Sequence, residues 1–171
     1  MLLEPLSVES LGGLLSLSPG NIHSAIHRLQ SVIAVTDADQ YLRIQHPSFS
    51  DFIVNEHACP TRFLINRGEQ HLLLARCCIS VMNQLFNIRE ITKADITSHA
   101  IYALCYFDDH MIGAAPESRM EFLETIRTFT YSQVTKWLVS LFYVGRSSHA
   151  IPSIKHVYQW VVRYCCPHLI S

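Results

Sequence analysis

Charge is what this sequence has least of. Only 16% of its 171 residues are Asp, Glu, Lys or Arg, where soluble domains usually carry about a quarter. With a hydrophobic fraction of 49% and a mean hydropathy of +0.19, a core is well supplied, and some apolar surface is expected to be covered by another body. Lysine is scarcest: Lys93, Lys136 and Lys155 follow Thr92, Thr135 and Ile154. No Gly-Lys pair exists, which excludes a P-loop, whose glycine-rich backbone cradles phosphates while its lysine reaches the terminal ones. Nucleotide hydrolysis by the isolated chain is therefore not expected, and the chain as a whole is not read as an enzyme. Long apolar runs are also missing. No stretch approaches the roughly 18 residues of a membrane span, and no basic segment with a small-residue cleavage site opens the chain. A cytoplasmic protein without a membrane partner is expected. Positive charge is not in excess, with a net of −1, which points away from nucleic acid and anionic lipid. The six cysteines include two adjacent pairs, Cys77 with Cys78 and Cys165 with Cys166. Neighbours inside helix-like segments do not make a disulfide framework, so reduced and mostly buried thiols are expected.

What is present is helical periodicity with one short interruption. Ser7 is placed to cap a first helix carrying Val8, Leu11, Leu14 and Leu15. Ser18 and Pro19 open a second, a cap followed by proline at the first helical position, with Ile22, Ala25, Ile26 and Leu29 as its buried face. Residues 31–35 and 41–45 read as two strands around a turn at 37–40, and 48–54 as a helix packing that hairpin down. Two helices and a hairpin make a winged helix-turn-helix over residues 1–57. Residues 57–66, with Pro60 inside, read as a linker. Asn66 and Glu69 form a capping-box pattern before a long helix striped by Leu72, Ala75, Ile79, Met82 and Phe86. Further helices are predicted over 92–111, 116–128, 132–144 and 148–165, with Gly113 and Gly145 as stops. The expected fold is mainly α: a winged helix-turn-helix with one β-hairpin, then an α-helical array over 58–171.

Candidate chemistry along this frame is sparse. A winged helix invites a DNA-binding reading, yet the second helix offers only Arg28. Residues 1–57 carry two basic residues against six acidic ones, a net of −4, while the rest nets +3. Affinity for DNA comes largely from neutralised phosphates, and little here would neutralise them. His23 and His27 stand four apart on one helix face, but a structural zinc site needs two more ligands nearby. Cys165, Cys166 and His168 suggest a metal, although adjacent helical cysteines diverge by about 100°. Glu121 with Glu124, and Asp108 with Asp109, are paired acids of the kind used in acid–base catalysis. On amphipathic helices such pairs read as a solvated face. No nucleophile elbow or Cys–His signature occurs.

The most informative stretch is residues 42–55, LRIQHPSFSDFIVN. Leu42 and Ile44 alternate as on a strand, and Phe49, Phe52 and Ile53 are spaced as on a helix, with His46 at the junction. This His-x-Ser-Phe-x-x-Phe pattern resembles the end of the winged-helix subdomain of NACHT-type signalling NTPases of the STAND class, and most closely the large fungal group of NOD-like receptors. The same resemblance extends to Pro5-Leu6-Ser7 with Leu11, to Ser18-Pro19, to the segment from Glu69 to Cys78, to Tyr102-Ala103-Leu104-Cys105-Tyr106, and to Trp137-Leu138. It covers most of the chain and is most specific in the first 55 residues.

The resemblance implies a non-catalytic regulatory and interaction region of a nucleotide-dependent signalling switch, a fragment or degenerate paralogue lacking its NTPase core. His46 would then reach the β-phosphate of ADP held by a core that a parent or paralogous protein supplies, and would stabilise the closed state. An imidazole N–H donating to phosphate is worth roughly 1.5–3 kcal/mol. The isolated chain would hold no cofactor, and the complete parent ADP or ATP. The alternative readings are a free-standing helical scaffold and a winged-helix DNA-binding module.

Overall fold

The computed structural model describes residues 2–36, 41–114 and 122–165, with side chains up to residue 162. The expected turn at 37–40, Glu121, Cys166 and His168 lie outside the described residues. The chain is mainly α-helical, with a two-stranded antiparallel hairpin followed by a helical array. Helix α1 (Val8–Leu15) starts where Ser7 Oγ accepts the Ser10 N–H at 3.1 Å. Helix α2 (Pro19–Arg28) starts likewise at Ser18, whose Oγ accepts from Asn21 N–H. Strands β1 (Ile33–Val35) and β2 (Leu42–Ile44) pair Ile33 with Ile44 and Val35 with Leu42. Tyr41 also bridges to Ser7, tying the hairpin to the start of α1. Helix α3 (Pro47–Ile53) follows directly.

The winged-helix part packs more loosely than its sequence suggests. On α2 only Ile22 is buried; Ala25 and Leu29 are exposed and Ile26 is half-covered. The reason is that, among the described residues, α2 lies chiefly against α1. Helix α3 buries none of its residues. The segment expected as a plain linker is compact: Cys59 is buried, and Ile65 N–H donates to the Ile53 carbonyl at 2.8 Å.

The core sits between α4 (Arg67–Phe86) and α5 (Ser98–Gly113), the most extensively packed pair of helices. They run antiparallel, since His71 near the start of α4 meets His110 and Gly113 at the end of α5. Asn66 caps α4 by accepting from Glu69 N–H. Its buried stripe is Leu74, Ala75, Cys78, Val81, Met82, Leu85 and Phe86; Leu72 and Ile79 of the expected stripe flank it half-covered. The predicted helix over 92–111 begins only at Ser98. A separate 3₁₀ turn, Lys93–Asp95, precedes it, with Thr92 N–H bound to the Asp95 carboxylate. Helix α5 touches α1, α4, α7 and α8 and is buried nearly all round, as a central helix must be.

The two helices expected over 116–128 and 132–144 are continuous where described. Helix α6 (Leu123–Thr128) passes through a π-helical turn (Phe129–Gln133) into α7 (Val134–Tyr143). That turn directs Gln133 to Asn83 at 3.0 Å, while Lys136 Nζ caps the end of α4 by donating to the Phe86 and Ile88 carbonyls. The buried Trp137 indole donates to the Leu104 carbonyl at 2.9 Å. Gly145 ends the helix with φ +70°, a backbone state open to glycine. Helix α8 (Ala150–Cys165) packs back on α5. The N-terminal segment lies over the array: Leu6 and Leu14 join its core, and Glu4 accepts from Tyr106 Oη–H and from Arg146. No helix among the described residues is long and apolar enough to cross a membrane.

Candidate functional site

His46 occupies the N-cap of α3 in extended backbone, with φ −126° and ψ 117°, and Pro47 follows at the first helical position. Strand β2 fixes it from one side and α3 from the other. Its side chain makes no capping bond to the helix. Instead Nδ1 lies 2.6 Å from Ser48 Oγ. With Ser48 donating, the other nitrogen carries the proton and is left to donate outward. The ring is exposed, and Tyr41 and Ile44 on the strand side and Phe52 in α3 are exposed large apolar side chains. An exposed donor held from both sides by β2 and α3 suits contact with an acceptor held by a second body.

The remaining sequence candidates fall apart or move inward. His23 and His27 are both exposed on α2. Glu124 is exposed and pairs with Arg127 at 3.7 Å. Cys59, Cys78 and Cys105 are buried free thiols and Cys77 is half-buried; burial raises the thiol pKa of Cys105 to about 11.

Asp108 corrects the expectation of a solvated acidic face. Only 1% exposed, it accepts from Ser153 Oγ at 3.0 Å and from His156 Nδ1 at 2.8 Å, both on α8. Asp109 beside it is half-exposed, and burial, then the neighbouring Asp108 charge, raise its pKa. The sequence showed the two acids but not that α8 would cover one of them. The hint available was Ser153 and His156, three apart on one face of their helix.

A second polar chain runs through the core, joining residues far apart in the sequence. Leu3 N–H donates to Tyr102 Oη at 3.2 Å; Tyr102 Oη lies 2.7 Å from His110 Nε2, and His110 Nδ1 lies 3.0 Å from His71 Nδ1. Because Tyr102 accepts from Leu3, its own proton goes to His110 Nε2, and His110 Nδ1–H then donates to His71. His110 is fully buried, and burial, followed by the proximity of His71, lowers its pKa to about 4. His110 is thus satisfied at both nitrogens with its ring neutral, as a buried polar group requires. Tyr102, Tyr106 and His110 recur at four-residue steps on α5, which was the legible part of the signal.

No family model, curated protein or solved structure matches this chain.

Proposed function

We propose that this chain is the winged-helix and helical regulatory region of a NACHT-type nucleotide-dependent switch, and that it catalyses nothing itself. In this reading the winged helix packs on an NTPase core supplied by a parent or paralogous protein, and His46 donates to the β-phosphate of bound ADP. One observation carries it: His46 is exposed at a junction fixed by β2 and α3, its Nδ1 engaged by Ser48. The His-x-Ser-Phe-x-x-Phe pattern and the low charge of the chain support the same reading.

The contact exists only in the closed state, so it biases the switch by its own free energy. In an intact parent, His46→Ala is expected to speed ADP release and raise spontaneous activation. One charge-assisted hydrogen bond corresponds to about 10- to 150-fold in the equilibrium. Measured ADP off-rates for wild type and variant decide it. Unchanged retention returns His46 to a local role at the head of α3.

A further inference from the structure

Three side chains with metal-ligand chemistry converge where α5 meets α8: Asp108, Asp109 and His156. One ligand atom from each lies within 4.8 Å of the other two. His156 Nδ1 stands 2.8 Å from Asp108 Oδ2 and 3.8 Å from Asp109 Oδ1. Around an ion bound at zinc–nitrogen and zinc–oxygen lengths, tetrahedral ligand atoms sit about 3.4 Å apart, and the two distances bracket that edge. We propose that Asp108, Asp109 and His156 form a binding site for one divalent transition-metal ion, zinc in the first place, which displaces to solvent the proton His156 Nδ1 shares with Asp108 and keeps its remaining position open.

Two further observations favour an ion over a plain His–Asp pair. The pair accounts for Asp108 and His156 but leaves Asp109 out: among the described residues, nothing donates a hydrogen bond to its carboxylate. Asp109 is instead held next to a second carboxylate in a half-buried site, an arrangement that costs stability unless a cation offsets it. Among the described residues no lysine or arginine is paired with either acid; the basic groups facing Asp109 are the imidazoles of His156 and His149. The site is also supported and accessible. Asp108 is oriented by Ser153 Oγ on its other oxygen, as an outer partner orients a metal-bound carboxylate. His156 and Asp109 are partly exposed, at 36% and 41% of their side chains, which gives the ion an entry path and Asp109 the freedom to close the 3.8 Å gap. A mixed carboxylate–imidazole set suits zinc, cobalt or manganese, whereas magnesium prefers an all-oxygen shell with several waters.

The test is zinc titration of the metal-stripped full chain by calorimetry, with the cobalt(II) absorption spectrum as a second readout. One-to-one binding is expected, and a cobalt spectrum of nitrogen and oxygen ligation without a thiolate charge-transfer band. Asp109→Asn removes a ligand but no hydrogen bond within the fold. It should weaken zinc by at least the roughly 10- to 100-fold that even an outer-shell partner is worth, while the metal-free melting temperature holds or rises. His156→Gln should also abolish binding. Absence of one-to-one binding, equal affinity in wild type and Asp109→Asn, or a thiolate band placing the ion on the cysteines would each overturn the proposal.

Discussion

At the scale of single residues, His110 makes the clearest prediction. Its ring is sealed in the core and donates to His71 while accepting from Tyr102, so the folded protein resists protonating it. The unfolded chain takes that proton near the ordinary value of 6.5, and the folded one only near 4. Between those values the unfolded state binds more protons, so stability falls as the pH is lowered through the window and levels off below it. For His110 alone the loss is on the order of 3 kcal/mol. His71, whose pKa burial also lowers, adds in the same direction. Urea unfolding at a series of pH values between about 4 and 7 should show this slope, and His110→Phe should flatten it while lowering stability at neutral pH. A wild-type slope retained in His110→Phe would place the titration elsewhere. Asp108 teaches the same lesson with opposite charge. A residue read as solvated is buried, because two donors from α8 reach it.

At the scale of elements, the α4–α5 contact depends on a missing side chain. A Cβ at Gly113 would sit 2.6 Å from the His71 ring, whose position is fixed by its bond to His110. Gly113→Ala gains helix propensity of up to about 1 kcal/mol but forces that ring aside, and overpacking of this kind costs about 1–3 kcal/mol. A net destabilisation of about 1 kcal/mol is expected from the difference. In a His71→Ala background the clash is gone, and Gly113→Ala should be neutral or stabilising. A double-mutant cycle by denaturant melts measures that coupling, and additive effects would show that the ring moves freely. The helices were largely legible here, because caps and stops are local: Ser7, Ser18, Asn66 and Gly145 act where the sequence places them. The π-helical turn was not legible. It aligns Gln133 and Lys136 with the end of α4, about fifty residues away in the chain, and Thr130 and Ser132 in it donate back to carbonyls four residues earlier.

At the scale of the whole molecule, burial is unequal. A single apolar cluster joins Leu6 and Leu14 to α4, α5, α7 and Trp160 of α8, whereas α2 contributes only Ile22 to the buried residues and α3 none. Stability therefore divides the same way, since segments with few buried contacts open below the global free energy. Native-state hydrogen exchange should show α4 and α5 amides exchanging only through global unfolding, and those of α2, the hairpin and α3 through local opening. Uniform protection would contradict this. In the proposed switch the loosely buried part is the one that meets the NTPase core, where a partner completes its packing. The sequence by itself determined the main helices, the hairpin between two sets of them, the junction at His46 and the exclusion of a P-loop. All of these follow from local periodicity, capping and residue type. Only the tertiary structure decided which polar groups are buried and which apolar faces stay bare. Asp108 meets His156 across 48 positions and His71 meets His110 across 39, and Leu29 remains exposed because, among the described residues, α2 packs chiefly on α1. Burial is set by what closes over a face, and a helical period specifies the face without naming its neighbour.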